Sequence, residues 1–109
     1  PGTGCAHWLA HQRNFRSARA SNACLEGFPI RVASVIEGKT QVNALANVRV
    51  DDIYVTPSRD HTGLVFKIEP GARPTDPPRI FIRHDSSAQG GVHENEFATY
   101  FNGQGNFFR

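Results

Sequence analysis

The chain predicts an α+β fold, an N-terminal helix packed on a small antiparallel sheet, and three observations carry that reading. Residues 4–20 have helical periodicity: Ala6, Leu9 and Ala10 recur at three- and four-residue spacings behind Thr3, a suitable N-cap. From Val48 onward the pattern changes to short apolar runs separated by Pro, Gly and Asp. Neither a repeat nor a long linker divides the 109 residues, so a single domain over residues 1–109 with one modest core is expected.

Each element follows from its own residues. On the expected helix, Cys5, Trp8 and Gln12 form a stripe beside the apolar one, and Arg13, Arg16 and Arg19 make a basic face. Ser21-Asn22-Ala23 reads as the helix exit. Residues 30–36 suit a strand or a short helix, and residues 42–46 another short helix. Residues 48–55 alternate in part and run into Pro57-Ser58-Arg59-Asp60, a turn signature. The strongest strand pattern covers residues 62–68. A loop holding Pro70, Gly71, Pro74, Pro77 and Pro78 leads to a strand over residues 79–83. Residues 86–91 read as a small-residue turn, and residues 97–101 with Phe107 and Phe108 as one or two closing strands.

Composition narrows the class. Apolar residues at 39% and charged residues at 20% fit a soluble globular chain. The net charge of +2 is too small to argue nucleic-acid or membrane binding by itself. The basic residues are 10 Arg against 2 Lys, a bias that suits an anionic polymer such as a cell wall and equally suits ordinary surface charge. No apolar run approaches the roughly 18 residues of a membrane span, and no signal peptide is visible. The Pro1 start reads as a processed, trimmed or excised terminus. Two cysteines, Cys5 and Cys24, do not make a disulfide-dense scaffold. A Cys5–Cys24 bridge is the alternative to free thiols and would block Cys5 as a nucleophile.

Cys5 is the first chemical candidate. A thiol attacks as thiolate, and a free Cys has a pKa of about 8.5 that a helix N-terminus or a nearby imidazolium lowers. With Thr3 as cap, Cys5 falls in the first turn among unpaired backbone N–H groups that can also hold an oxyanion. Gly2 and Gly4 let a substrate backbone approach closely. The plain reading of a free Cys is a small buried hydrophobe. His61 shifts that balance: it follows a turn and opens an apolar strand, where a base can reach a nucleophile. His84 ends the following strand, which antiparallel pairing brings near His61. A third polar residue there would orient His61. His84 and Asp85 are alternatives for that role, because successive strand side chains point to opposite faces. Tyr54 can lend a hydroxyl to the cleft or pack in the core, and Gly63 lets the helix carrying Cys5 come close.

Four segments together resemble the NlpC-type and CHAP-type papain-like cell-wall hydrolases: Gly4-Cys5-Ala6-His7-Trp8, Asp51-Asp52-Ile53-Tyr54-Val55, His61-Thr62-Gly63-Leu64-Val65 and Phe81-Ile82-Arg83-His84-Asp85. In that family a Cys opens the first core helix, a Gly-Asp-(Ile/Leu)-Val-type segment starts the sheet, a His-(Val/Ile)-Gly-Ile-Val-type strand carries the base, and a polar residue sits on the next strand. The resemblance runs over about residues 4–101 and implies a papain-like α+β fold with the nucleophile helix on the sheet. It implies a catalytic set of Cys5, His61 and His84, with Gly4, Trp8, Tyr54 and Asp85 at the substrate. The implied activity is an amidase or D,L-endopeptidase acting on peptidoglycan stem peptides in the cell wall or periplasm, without metal or cofactor. An immunity or inhibitor protein is the implied partner, as for secreted amidase effectors. Gly4-Cys5-Ala6-His7 departs from the usual Asp-Cys-Ser-Gly, and Asp51-Asp52 replaces Gly-Asp.

Other classes make distinct demands. His7 and His11, spaced i,i+4, can share a metal with His93 or Cys24, but no Glu makes the H-E-x-x-H of a zinc protease. A non-catalytic wall or nucleic-acid binder would use Arg13, Arg16 and Arg19 with Phe97, Tyr100, Phe107 and Phe108. A ribonuclease would use His61 and His84 without Cys5, and a protein-directed peptidase or acyltransferase would use the same triad on another substrate.

Overall fold

A computed structural model of the chain describes residues 36–86 and 91–109. These residues form β1 (Gln41–Val42), β2 (Ile53–Val55), β3 (Thr62–Glu69), β4 (Arg79–Ser86), β5 (Gly91–Glu96) and β6 (Asn106–Phe108). All pair antiparallel in one sheet of order β1-β6-β2-β3-β4-β5. The last strand is thus inserted between the first two.

The α+β, papain-like expectation is corrected by this architecture. Among the described residues there is no α-helix, Leu45–Asn47 forms a 3-10 turn, and the sheet has no α-helix from them packed on it. The helix expected over residues 42–46 fails for a local reason. Ala44 occupies the cap position with no side-chain hydrogen bond to offer, and three residues are too few to offset helix nucleation. The nucleophile helix expected over residues 4–20 lies outside the described residues. The strand expected over residues 48–55 shortens to Ile53–Val55, because Asp51 takes φ 77 and Asp52 N–H closes a turn on the Arg49 carbonyl. Residues 97–101 form a turn, with Tyr100 N–H donating to the Glu96 carbonyl.

The core gathers on one face. Val48, Tyr54, Val65, Ile80, Ile82, Phe97, Phe101 and Phe107 pack together, with Val42 and Ile68 against them. Fully burying a side chain such as Val65 or Ile82 contributes about 1.5–3 kcal/mol. A bulge between Val65 and Lys67 resets the β3–β4 register, so that Ile68 falls opposite Ile80 and rejoins this face. Tyr54 is the hub: its ring centroid lies 5.8 Å from Phe97, 4.8 Å from Phe101 and 5.4 Å from Phe107. Its hydroxyl donates to the Gln104 carbonyl, and burial pushes its pKa above the usual phenol range. Ile53, Val55 and Leu64 alternate away from this cluster and are buried as well, so the middle of the sheet is covered on both faces.

One ion pair ties the C-terminal residue to the sheet. Asp52, only 2% exposed, accepts from Arg109 Nε and Nη2, each at 2.8 Å, and from the Arg49 backbone N–H at 2.7 Å. The fork is bidentate, the stronger form of such contacts. Arg109 Nη2 also reaches the Asn47 carbonyl at 2.7 Å. This clamp holds β6 in register between β1 and β2.

Gly105, at φ 122, lies against the Tyr54 ring: a Cβ there would sit 2.5 Å from Tyr54 Cε1 and 2.7 Å from the Val55 carbonyl oxygen. Gly105→Ala therefore combines backbone strain with overpacking and is expected to destabilise the fold by about 1–3 kcal/mol. Urea denaturation is expected to show a lower midpoint with an unchanged slope.

Candidate active site

The turn before β3 presents His61. Thr56 Oγ1 donates to Asp60 Oδ1 at 2.9 Å, and Ser58 Oγ donates to the same atom at 2.6 Å. Arg59 takes φ 58, its N–H donating to the Thr56 carbonyl, and Thr56 N–H donates to the His61 carbonyl at 3.0 Å. The two hydroxyls hold the Asp60 carboxyl below its usual pKa, with the charge of His61 a smaller influence in the same direction. A depressed carboxyl stabilises the fold above its unfolded pKa of about 3.9 and loses that contribution as pH falls through the folded value. The turn thus keeps an anion beside His61 at neutral pH.

Strand alternation then sets the geometry. His61 and Gly63 share a face, and Gly63 stands opposite His84 in the β3–β4 register, one step beyond the Leu64–Arg83 pair. His84 belongs to the Ile80–Ile82 face and is fully buried. With no side chain at Gly63, the His61 and His84 rings meet: Nε2 of His61 lies 2.7 Å from Nδ1 of His84, the ring planes at 88°. Phe101 backs both rings, with centroids 6.3 Å from His61 and 5.0 Å from His84. Tyr100, 42% exposed, lies 5.3 Å from His84. On the far side, His84 Nε2 is 2.7 Å from Oδ1 of Asn95. Asn95 pairs with Ile82 across β4–β5, which puts it on the same face as His84.

Of the residues singled out from the sequence, the fold brings His61 and His84 into direct contact. Cys5, Gly4 and Trp8 lie outside the described residues, as do Cys24, His7, His11, Arg13, Arg16 and Arg19. Tyr54 is 1% exposed and its hydroxyl is engaged by Gln104 within the core, so it supports the site from beneath. Asp85 pairs with Val92 in β4–β5, and its side chain is outside the described ones. Gly63 admits β4 side chains: a Cβ there would lie 2.5 Å from Ile82 Cγ2 and 3.2 Å from His84 Cβ. Asn95 is the addition that sequence reasoning missed. In His93-Glu94-Asn95-Glu96 it looks like a surface polar residue, and only the β4–β5 register distinguishes it.

Electrostatics elsewhere are largely self-contained. Arg79 pairs with Glu96 and Glu69, Arg83 with Glu94, and Arg109 with Asp52. Two open grooves, of about 600 and 530 Å³, lie along Thr40–Arg49 with Arg109 and along the proline loop near Gly71 and Asp76. Neither groove is lined by His61 or His84. Among the described residues no group of three His, Cys, Asp or Glu gathers around a point suited to a metal ion. Comparison with protein-family models, with curated proteins and with solved structures gives no match.

Gly63→Ala is expected to force β3 and β4 apart, since the new methyl would also stand 2.9 Å from the Arg83 carbonyl oxygen. The expected result is a loss of about 1–3 kcal/mol in chemical denaturation. A downfield ring N–H resonance from the His61–His84 hydrogen bond, present in the wild type, should be lost or weakened in the variant.

Proposed function

We propose that this chain is a cysteine hydrolase, with Cys5 as nucleophile, His61 as general base and His84 as the residue that orients His61. The observation that carries the reading is the His61 Nε2–His84 Nδ1 contact at 2.7 Å. It occupies one nitrogen of His61 and leaves Nδ1 as the nitrogen available to a nucleophile. A base held by a second polar group is the arrangement that activates Ser and Cys nucleophiles. His61 is partly exposed while His84 is buried, as a working base and its support require.

The chemistry runs in two halves. His61 Nδ1 takes the Cys5 proton, and the thiolate adds to the carbonyl carbon of an amide. Backbone N–H groups beside Gly4 and Cys5 receive the oxyanion, and the His61 imidazolium then protonates the leaving amine. Water, deprotonated by His61, hydrolyses the thioester, releasing the acid and restoring the thiol. The substrate class follows from the sequence resemblance: stem peptides of peptidoglycan, reached in the periplasm or cell wall, with Trp8 at the substrate and an immunity or inhibitor protein as natural antagonist. Asp51 at φ 77 supports that resemblance, because the family places Gly, which accepts this conformation without strain, at the equivalent position. The ribonuclease alternative is disfavoured by the same contact: His84 is 0% exposed and bonded to His61, so the two rings cannot stand on either side of a phosphate.

Purified peptidoglycan digested with the wild-type chain is expected to release muropeptide fragments identifiable by mass spectrometry. Cys5→Ala should release none, and His61→Ala should be slower by about 10²–10⁴-fold. Equal release by wild type and Cys5→Ala would exclude Cys5 as nucleophile. No release by the wild type would remove peptidoglycan as the substrate.

A further inference from the structure

Asn95 stands behind His84 as His84 stands behind His61. The three side chains come from the residue just before β3, from β4 and from β5, and the two links between them are each 2.7 Å. A neutral imidazole has one N–H and one lone pair, so a chain of two imidazoles can run in either direction. Run one way, His61 presents a lone pair on Nδ1 and can accept a proton there. Run the other way, His61 carries N–H on Nδ1 and cannot act as a base toward a nucleophile on that side. Neither histidine decides the direction, since each can serve as donor or acceptor. The orientation of the amide at the end of the chain decides it.

We propose that Asn95 is a positioning residue that fixes the tautomers of both histidines and so makes Nδ1 of His61 the basic nitrogen. This rests on the reading of His61 as the general base. Asn95 turns its amide oxygen toward His84, so His84 Nε2 carries the proton and donates. His84 Nδ1 is then the acceptor, His61 Nε2 carries the proton that donates to it, and the free pair of His61 is left on Nδ1. His84 is fully buried, so reversing the two imidazoles while the Asn95 amide keeps this orientation would set lone pair against lone pair where water cannot readily repair it, and only a turn of the amide to present Nδ2–H would restore the match. The amide also suits the end of the chain because it accepts a hydrogen bond without bringing a negative charge that would draw a proton onto His84. Pairing of Asn95 with Ile82 anchors its backbone in the sheet.

The test is long-range ¹H–¹⁵N NMR of the full chain labelled at histidine. Wild type is expected to show His61 protonated at Nε2 and bare at Nδ1, with His84 protonated at Nε2. Asn95→Leu should shift His61 toward the Nδ1–H form and lower kcat by about 10–100-fold with KM nearly unchanged. Asn95→Asp, which keeps an acceptor, should retain the wild-type tautomers in mildly alkaline buffer. A wild-type His61 protonated at Nδ1, or an Asn95→Leu spectrum with the His61 tautomer unaltered, would overturn the assignment. Should Asn95→Leu not fold, the wild-type and Asn95→Asp spectra decide. The spectra need no turnover: the expected tautomers in a chain without hydrolase activity would uphold the role of Asn95 while refuting the proposed reaction.

Discussion

The hydrogen bond between His61 Nε2 and His84 Nδ1 is the interaction on which the site depends, and it exists because position 63 has no side chain. Every other feature of the centre serves that contact. The Thr56–Asp60 turn delivers His61 to the first position before β3. Alternation places His84 on the buried face beside Ile82, and the β4–β5 register brings Asn95 within reach of its outer nitrogen. Phe101 then backs both rings, which limits water at the contact and strengthens each hydrogen bond electrostatically.

The site is connected to the far end of the sheet by packing. Phe107 on β6 touches Tyr54 and Phe97, and Tyr54 in turn touches Phe101, the residue behind the histidines. β6 is held in place by the fork from Arg109 to the buried carboxylate of Asp52. A residue at position 109 and a loop at position 52 therefore support side chains at positions 61 and 84 without touching them. Dense interiors transmit such support because their side chains have few alternative arrangements.

How much of this was legible in the sequence varies by element. The strand that follows His61 is plain from the run Thr62-Gly63-Leu64-Val65-Phe66, and its observed span of Thr62–Glu69 differs from the expected one by a single residue. The approach of His84 to His61 followed from antiparallel neighbours with ends near one another. The α+β class did not survive, because within the described residues the helix expected at residues 42–46 became strand and 3-10 turn. Residues 97–101 read as a strand from their aromatic content, yet they turn: Asn102 and Gly103 take positive φ, and Gly103 N–H closes back on the Phe97 carbonyl. For Tyr54 the sequence leaves open a hydroxyl lent to the cleft or a place in the core, and the fold buries the ring and gives the hydroxyl to Gln104. Asn95 was invisible because its importance comes from register, a tertiary property that neither its residue type nor its neighbours encode.

The central claim is that His61 activates Cys5, and the most direct measurement is the pH dependence of Cys5 alkylation. Iodoacetamide labelling, followed peptide by peptide so that Cys24 is scored separately, should show Cys5 reacting as a thiolate well below the usual thiol pKa of about 8.5. In His61→Ala that profile should move back to the ordinary value. Identical Cys5 profiles in the wild type and in His61→Ala would contradict the account, because they would mean that the imidazole and the thiol do not form a pair.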